Sequence, residues 1–364
     1  MTMVSPVTSE ISQDSCKLST DSELALDQLM ALLVVEQSYK VPHIPCRAAY
    51  AQSDQLPHGE WRRKICQWSF KVIDHFRLDR EVVSCAMNIF DRYLAQRPKV
   101  FNLDNCPCPA CQRSIDSRTF QLTAMTSLYL AMKMYSDNGD DHVSPYRRLR
   151  LTSFVELSRG QFCAEDISQM ESTILGEIKW KVNPPTPMTA VSYLLRLMPS
   201  PTSVPYYSRK SYDLVLHVLH ELARYLTELS ICLGGHCNTH TPSQVAYASI
   251  LVSMELLTSS ALPISVRDSF HDAVVSTSSA SGGTILKPHD ESIRDLQERL
   301  RNSFWPEMLM DNCESAEMGH PISMARDFGL LDIASISLST PNYTERTTST
   351  KDWEGSPVCV SRPI

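Results

Sequence analysis

The sequence predicts an all-α protein with two helical domains in tandem and flexible segments at both ends. Apolar residues recur at helical spacing along most of the chain, and prolines separate these stretches. Thr119–Tyr135 is apolar or small on nearly every face, with Lys133 as its only charge. Since a helix that is apolar all round is expected inside a bundle, this stretch predicts the central helix of the first domain.

Length and composition limit the classes of function. The chain has 364 residues, 43% of them hydrophobic, which is enough for about two domains with tails. A net charge of −7 gives no support for a nucleic-acid partner. The longest apolar run, Leu29–Val35, is too short to span a membrane. Most of the twelve cysteines stand singly in apolar helical patterns. We therefore expect a reducing compartment, the nucleus and/or the cytoplasm, and no structural disulfides.

The N-terminal part predicts one helix between irregular segments. Residues 1–20 are rich in Ser and Thr without apolar periodicity, and we expect them to be disordered. Residues 21–58 contain a helix capped by Asp21 or Ser22, followed by a linker with Pro42 and Pro45. An apolar stripe that continues to Glu36 predicts that this helix docks on another part of the protein.

Residues 59–184 predict a five-helix domain. Asp79 is placed to cap its second helix, and the long segment Gln96–Arg118 predicts a loop. Prolines after Asn183 end the last helix. The five predicted helices are Trp61–Arg77, a helix from Asp79 to near Pro98, Thr119–Tyr135, Leu151–Arg159 and Glu165–Lys179.

Residues 185–305 partly repeat this rhythm and predict a second helical domain. Its third helix is again apolar with small residues. Residues 306–364 lose the periodicity and predict a flexible Ser/Thr-rich tail. The predicted helices of this half are Met188–Leu197, Tyr212–Leu233, Pro242–Leu257, Pro263–Val274 and Glu291–Phe304.

Several motifs of residues 60–190 resemble, in the same order, those of the cyclins. WRRKICQWSFKVIDHFRLDREVVSCAMNIFDRYL resembles the first two helices of a cyclin box, and FQLTAMTSLYLAMK resembles the third. ISQMESTILGEIKWKVNPPTP resembles the fifth helix and the linker that follows it. The N-terminal helix loosely resembles that of D-type cyclins. The second half resembles the family only in the order and spacing of its predicted helices. The resemblance implies the cyclin fold, with two five-helix bundles in tandem.

The resemblance also implies a function. It implies a regulatory subunit, itself not an enzyme and without a cofactor, that binds and activates a cyclin-dependent protein kinase in control of the cell cycle. Kinase substrates or inhibitors are further candidate partners. Two alternatives stay open: a cyclin tied to signalling or transcription, and a cyclin-fold scaffold that activates no kinase. Retention of Lys133 with Glu171 argues against the scaffold.

Two charged pairs take their roles from the resemblance. Lys133 and Glu171 match residues that contact the kinase, and the alternative is a surface ion pair of little energetic value. Arg62 and Asp91 match a buried ion pair between the first two helices of the box.

A substrate-docking patch found in some cyclins maps onto one set of residues here, Trp61, Ile65, Trp68, Phe120 and Gln121. Two neighbouring positions depart from the family pattern. Lys64 replaces an apolar residue, and Lys71 replaces an acid that pairs with an arginine of the substrate.

The sequence predicts no metal site, although Cys106, Cys108 and Cys111 form a CxCxxC motif in the long loop. These cysteines supply only three of the four ligands that a structural zinc site needs, unless His142 or another chain completes it. Free thiols in a loop are the alternative. The sequence also lacks Gly-rich phosphate loops and the motifs of hydrolases and metalloproteases.

Overall fold

The computed structural model describes residues 23–41, 57–96, 117–136, 150–199, 209–233, 240–303 and 325–332. Within these ranges the regular structure is helical, so the prediction of an all-α chain is confirmed. None of the described helices is both long and apolar enough to cross a membrane. The predicted disordered segment 1–20, Pro42, Pro45, the CxCxxC loop and His142 lie outside the described residues.

Eleven helices are named here in chain order, and the first is followed directly by a 3-10 turn at Glu36–Tyr39. The helices that precede residue 180 are α1 (23–35), α2 (Pro57–Phe76), α3 (Glu81–Gln96), α4 (Ser117–Ser136), α5 (Leu151–Leu157) and α6 (Ala164–Glu177). Those that follow are α7 (Pro187–Leu195), α8 (Arg209–Leu233), α9 (Pro242–Glu255), α10 (Ile264–Ala280) and α11 (Glu291–Ser303).

Helix α4 is the centre of the first core, as its sequence predicts. Residues 123–132 are all buried, and the helix packs against α3 and α6 with further contacts to α2 and α5. Thr123 and Ala124 are small enough for close helix approach. The charge of Lys133 follows directly after the buried stretch, at the end of the helix where a cation is favoured by the helix dipole.

Helix α9 lies at the centre of the second core, as α4 does in the first. Residues 245–254 are all buried, and α9 packs against α7, α8 and α11. The Thr241 side chain accepts a hydrogen bond from the backbone N–H of Gln244, and the Gln244 side chain accepts one from Thr241. Pro242 occupies the first turn, where its missing N–H costs nothing. The predicted second apolar helix is therefore confirmed.

Among the helix ends that differ from the sequence prediction, two lie beside long-range contacts. Helix α10 continues past Val274 to Ala280, since Ser278 is buried and its hydroxyl accepts a hydrogen bond from the backbone N–H of Leu286. Helix α6 stops at Glu177, two residues before the predicted end at Lys179. There the guanidinium of Arg92 donates to the carbonyl oxygen of Ile178 at 3.2 Å.

Helix α1 docks on the second core rather than on the first. Leu29, Leu32 and Leu33 belong to the cluster built around α9. The carbonyl oxygen of Leu33 accepts a hydrogen bond from the backbone N–H of Thr284 at 3.2 Å. A Cβ atom on Gly283 would lie 2.3 Å from that same oxygen, so only glycine allows the approach.

Part of the predicted flexible tail is packed. Within residues 325–332, Ala325 is buried and Leu331 forms an isolated antiparallel bridge with Leu257. The carbonyl oxygen of Leu330 also accepts a hydrogen bond from the backbone N–H of Thr258 at 3.0 Å. These eight residues are therefore packed, because an apolar pair inside a polar segment finds a partner that is distant in sequence. The rest of the predicted tail lies outside the described residues.

Candidate partner-binding site

Lys133 and Glu171 form an ion pair at the surface of the first domain. The packing of α4 against α6 brings them together, and the Lys133 Nζ lies 2.7 Å from the Glu171 Oε1. The Lys133 side chain is 46% exposed and that of Glu171 is 18% exposed. The Nζ also lies 5.1 Å from the ring centre of Tyr129, a distance at which a cation is attracted to an aromatic face.

The geometry of this pair suits a contact with another chain. An ammonium has three donors and a carboxylate has about four acceptor sites, so an exposed pair can also bind the backbone of a partner. Because both groups are charged, such hydrogen bonds belong to the stronger kind. An exposed ion pair contributes little to folding.

Arg62 and Asp91 form a bidentate ion pair between α2 and α3. The Arg62 Nε lies 2.9 Å from Asp91 Oδ1 and its Nη2 lies 2.7 Å from Oδ2, with both side chains about 10% exposed. Burial lowers the pKa of Arg62, but the carboxylate of Asp91 raises it by a larger amount, so the pKa lies above its ordinary value. The geometry is that of the ion pair which the resemblance implies.

Arg62 has a second role that the sequence does not reveal. Its Nη1 donates to the carbonyl oxygen of Ile231 at 2.7 Å. Ile231 lies in the last turn of α8, where carbonyl groups lack a partner within the helix. The same guanidinium therefore links α2 and α3 of the first domain to the C-terminal end of α8 in the second.

A second ion-pair network joins the domains at Arg80. Its guanidinium contacts Asp74 Oδ2 at 2.8 Å and Glu228 Oε2 at 2.8 Å. Glu228 lies in α8 and is buried, and Arg224 of the same helix also contacts it, at 3.4 Å. Two arginines of the first domain thus bind the same helix of the second, which fixes how α8 lies against α2 and α3.

Glu36 is a buried carboxylate that the sequence analysis did not assign a role. Its Oε2 accepts a hydrogen bond from the backbone N–H of Ser243 at 2.9 Å, and its Oε1 accepts one from the Ser243 hydroxyl at 2.6 Å. The Thr284 hydroxyl also donates to it. Burial raises the pKa of Glu36, and these hydrogen bonds offset only part of that rise. The signal in the sequence was an acidic residue on an otherwise apolar helical stripe.

The carboxylate of Glu36 lies at the first turn of α9. Backbone N–H groups in a first turn have no partner within the helix, and the helix dipole favours negative charge there. Glu36 therefore anchors the 3-10 turn after α1 to the central helix of the second domain. Three residues further on, the carbonyl oxygen of Tyr39 accepts a hydrogen bond from the Asn88 side chain of α3 at 3.2 Å. This short segment thus contacts both domains.

The predicted docking patch forms one groove between α2, α4 and the segment after α5. The groove has a volume of about 470 Å³. Phe120 lines it and is buried, with the ring of Trp61 5.6 Å away in an edge-to-face arrangement. All five residues of the predicted patch line this groove: Trp61, Ile65, Trp68, Phe120 and Gln121. Lys64 and Arg159 line it as well. Lys71 is not among the lining residues.

We expect this groove to bind Arg-x-Leu peptides weakly. Of the described residues that line it none is acidic, and Lys64 and Arg159 are both basic, so a peptide arginine would meet like charge. In a fluorescence-anisotropy titration, Lys64→Glu should strengthen binding of such a peptide by about tenfold, which corresponds to about 1.4 kcal/mol. Lys71→Glu serves as the matched control and should change little. Tight binding of the peptide to the unaltered protein, lost in Trp68→Ala, would contradict this expectation.

The described residues contain no cluster of candidate metal ligands. No group of three or more His, Cys, Asp or Glu side chains within those ranges could hold an ion. Cys106, Cys108 and Cys111 lie outside them, so the alternative of a zinc site in that loop stays a sequence-level question.

Comparison with known proteins finds a likeness in the first domain. A family model described as the cyclin N-terminal domain matches residues 33–183. The G2/mitotic-specific cyclin-B2 of Mesocricetus auratus is 28% identical over 203 residues, which is 55% of this chain and 40% of that protein. Cyclin-D3-3 of Arabidopsis thaliana is 31% identical over 195 residues, 53% of this chain and 44% of that protein. The chain thus spans less than half the length of these relatives.

Solved structures give a weaker likeness. A viral cyclin from herpesvirus saimiri is 15% identical, with a TM-score of 0.43, over 68% of this chain and 86% of the viral chain. The likeness to the cyclins depends on the sequence match to residues 33–183, the region that contains the Lys133–Glu171 pair, the Arg62–Asp91 pair and the groove.

Proposed function

We propose that the chain, whose residues 33–183 match the cyclin N-terminal domain, binds and activates a cyclin-dependent protein kinase. A cyclin-type regulator acts through contact with its partner, and in this proposal the chain itself performs no catalysis. Several relatives that it matches are named as G2/mitotic-specific cyclins, which favours control of the cell cycle as the process. Identity to them is below 30%, so the process is part of the proposal.

The proposed mechanism is positional. A protein kinase transfers phosphate only when a glutamate of its αC helix meets a lysine of strand β3 and its activation loop is in place. A partner that binds the inward position of αC more tightly than the outward one shifts the kinase toward the active state. In our proposal the surface formed by α4 and α6 makes that contact, with Lys133 and Glu171 binding the segment that leads into αC.

The observation that carries the proposal is the Lys133–Glu171 pair itself. Its two members are 38 residues apart in sequence, yet their charged atoms lie 2.7 Å apart on the outer side of the matched domain. Lys133 comes directly after ten buried residues of α4, so its charge is held at the rim by a rigid core. A pre-organised charged pair loses little conformational freedom on binding, which favours affinity.

The test is the double variant Lys133→Ala/Glu171→Ala. Loss of these charge-assisted hydrogen bonds should weaken kinase binding by well over about tenfold, since charged residues central to an interface often cost more than about 2 kcal/mol when truncated. Purified protein is titrated against a panel of cyclin-dependent kinase catalytic subunits by surface plasmon resonance. Phosphorylation of a serine/threonine peptide is then measured for each complex.

The matched control is Asp295→Ala/Arg299→Ala, which removes an exposed ion pair of α11 at 2.9 Å. Both double variants should keep the helical content and melting temperature of the unaltered protein, because exposed pairs contribute little to stability. A folded Lys133/Glu171 variant with normal binding and activation would refute the site. An unaltered protein that stimulates none of the kinases would refute the function.

A further inference from the structure

Cys66 and Cys232 meet where the two domains touch. Cys66 lies in α2 and Cys232 in the last turn of α8, 166 residues later, and their sulfur atoms are 3.2 Å apart. Both are free thiols. Cys66 belongs to the first core, whereas Cys232 packs against both cores. A bond between these sulfurs would therefore join the two domains covalently.

We propose that Cys66 and Cys232 form an oxidisable dithiol, which a hydroperoxide converts into a disulfide between the two domains. A disulfide requires a sulfur–sulfur distance of about 2.05 Å, so the two atoms need to approach by only about 1 Å. Their positions on helices that already pack against each other make this a local adjustment. The proposal concerns a modification site and does not depend on the proposed kinase partner.

The surroundings of the two sulfurs distinguish their roles. Cys66 is completely buried, and burial raises the pKa of its thiol, while the nearby guanidinium of Arg62 lowers it in part. Cys232 is partly exposed, so a small oxidant reaches it first. Cys232 is thus the attacking thiol and Cys66 the resolving one.

The reaction balances with hydrogen peroxide as the oxidant. The Cys232 thiolate attacks one peroxide oxygen, the O–O bond breaks and hydroxide leaves, which gives a sulfenic acid. The Cys66 thiol gives up its proton as its sulfur attacks the Cys232 sulfur; the S–S bond forms as the S–O bond breaks and a second hydroxide leaves. The two thiol protons convert both hydroxides to water. Two thiols lose two electrons, and one peroxide is reduced to two waters.

Such a bond would close a loop of 166 residues. A disulfide limits the freedom of the unfolded chain, and in the chain-entropy account its effect grows with loop length. The oxidised protein should therefore unfold at a higher urea concentration than the reduced protein. A reduced pair at rest agrees with the reducing compartment that the cysteine usage predicts, and a reductant should reverse the bond.

The test uses the full native chain. Protein is treated with hydrogen peroxide, alkylated, unfolded and digested without reductant, and the peptides are mapped by mass spectrometry. We expect a linked peptide containing Cys66 and Cys232 to rise from background to the major form and to disappear with dithiothreitol. The urea midpoint should rise on oxidation of the unaltered protein and of Cys163→Ser, which removes an exposed thiol. It should not rise in Cys232→Ser.

Three results would overturn the proposal. Cys66 could be recovered as the free thiol after peroxide has oxidised Cys163. Cys232 could be linked to a different cysteine. Cys232 could also stop at sulfinic acid with no link to Cys66. Peptide mapping of the unaltered protein distinguishes these results without any variant, so a Cys232→Ser chain that fails to fold would not prevent the decision.

Discussion

Arg62→Ala is expected to lower the free energy of unfolding by about 3–5 kcal/mol, because it leaves the buried carboxylate of Asp91 without its partner. It also removes the donor from the carbonyl oxygen of Ile231, so one change weakens both the packing of α2 on α3 and the contact between the domains. Urea denaturation followed by circular dichroism measures the change.

Two variants control this experiment. Lys71→Ala truncates an exposed side chain on the same helix and should stay within about 0.5 kcal/mol of the unaltered protein. The double variant Arg62→Met/Asp91→Leu removes both charges and should recover part of the loss, since apolar residues of similar volume can replace a buried ion pair. If Arg62→Ala unfolded at the same urea concentration as Lys71→Ala, the buried pair would not contribute to stability.

Glu36→Ala should lower the free energy of unfolding by about 3 kcal/mol. Hydrogen bonds to a charged group are worth about 1.5–3 kcal/mol each, and relief from the cost of burying the carboxylate offsets part of their sum. The backbone N–H of Ser243 and the hydroxyl groups of Ser243 and Thr284 would lose their acceptor inside the protein. Helix α1 would then be held on the second core by apolar contacts and by the backbone hydrogen bond from Thr284 to Leu33.

The control for this variant is Glu23→Ala, the same substitution at an exposed position of α1. It should leave the urea midpoint nearly unchanged, whereas Glu36→Ala should shift it. Limited proteolysis provides a second measurement, because loss of the anchor should make the segment around residues 36–39 easier to cleave. Equal midpoints and equal cleavage rates for the two variants would show that Glu36 does not anchor this segment.

These contacts give the N-terminal segment a defined place in the molecule. Glu36 binds the first turn of α9 in the second domain, and Tyr39 contacts Asn88 and the guanidinium of Arg92 in α3 of the first. Together with Arg62 and Arg80, this segment holds α8 and α9 in position against α2 and α3.

The sequence by itself determined the helical class, the central position of α4 and the identity of both charged pairs. The first two follow from local periodicity, because ten consecutive buried residues leave a run of apolar and small side chains that is visible in the sequence. Lys133 with Glu171 and Arg62 with Asp91 followed from ordered motifs shared with a family. Their distances of 2.7 Å came only from the structure.

Tertiary structure alone decided how the two domains and the chain segments around them fit together. The contacts of Glu36 with Ser243, Arg80 with Glu228 and Cys66 with Cys232 span 207, 148 and 166 residues. Such pairs leave no periodic pattern, since each is a single polar or thiol group whose partner is selected only after the helices have packed. The docked residues 325–332 follow the same rule: Leu330 and Leu331 are too few to form a pattern, and the loop after α9 supplies the partner that their sequence cannot specify.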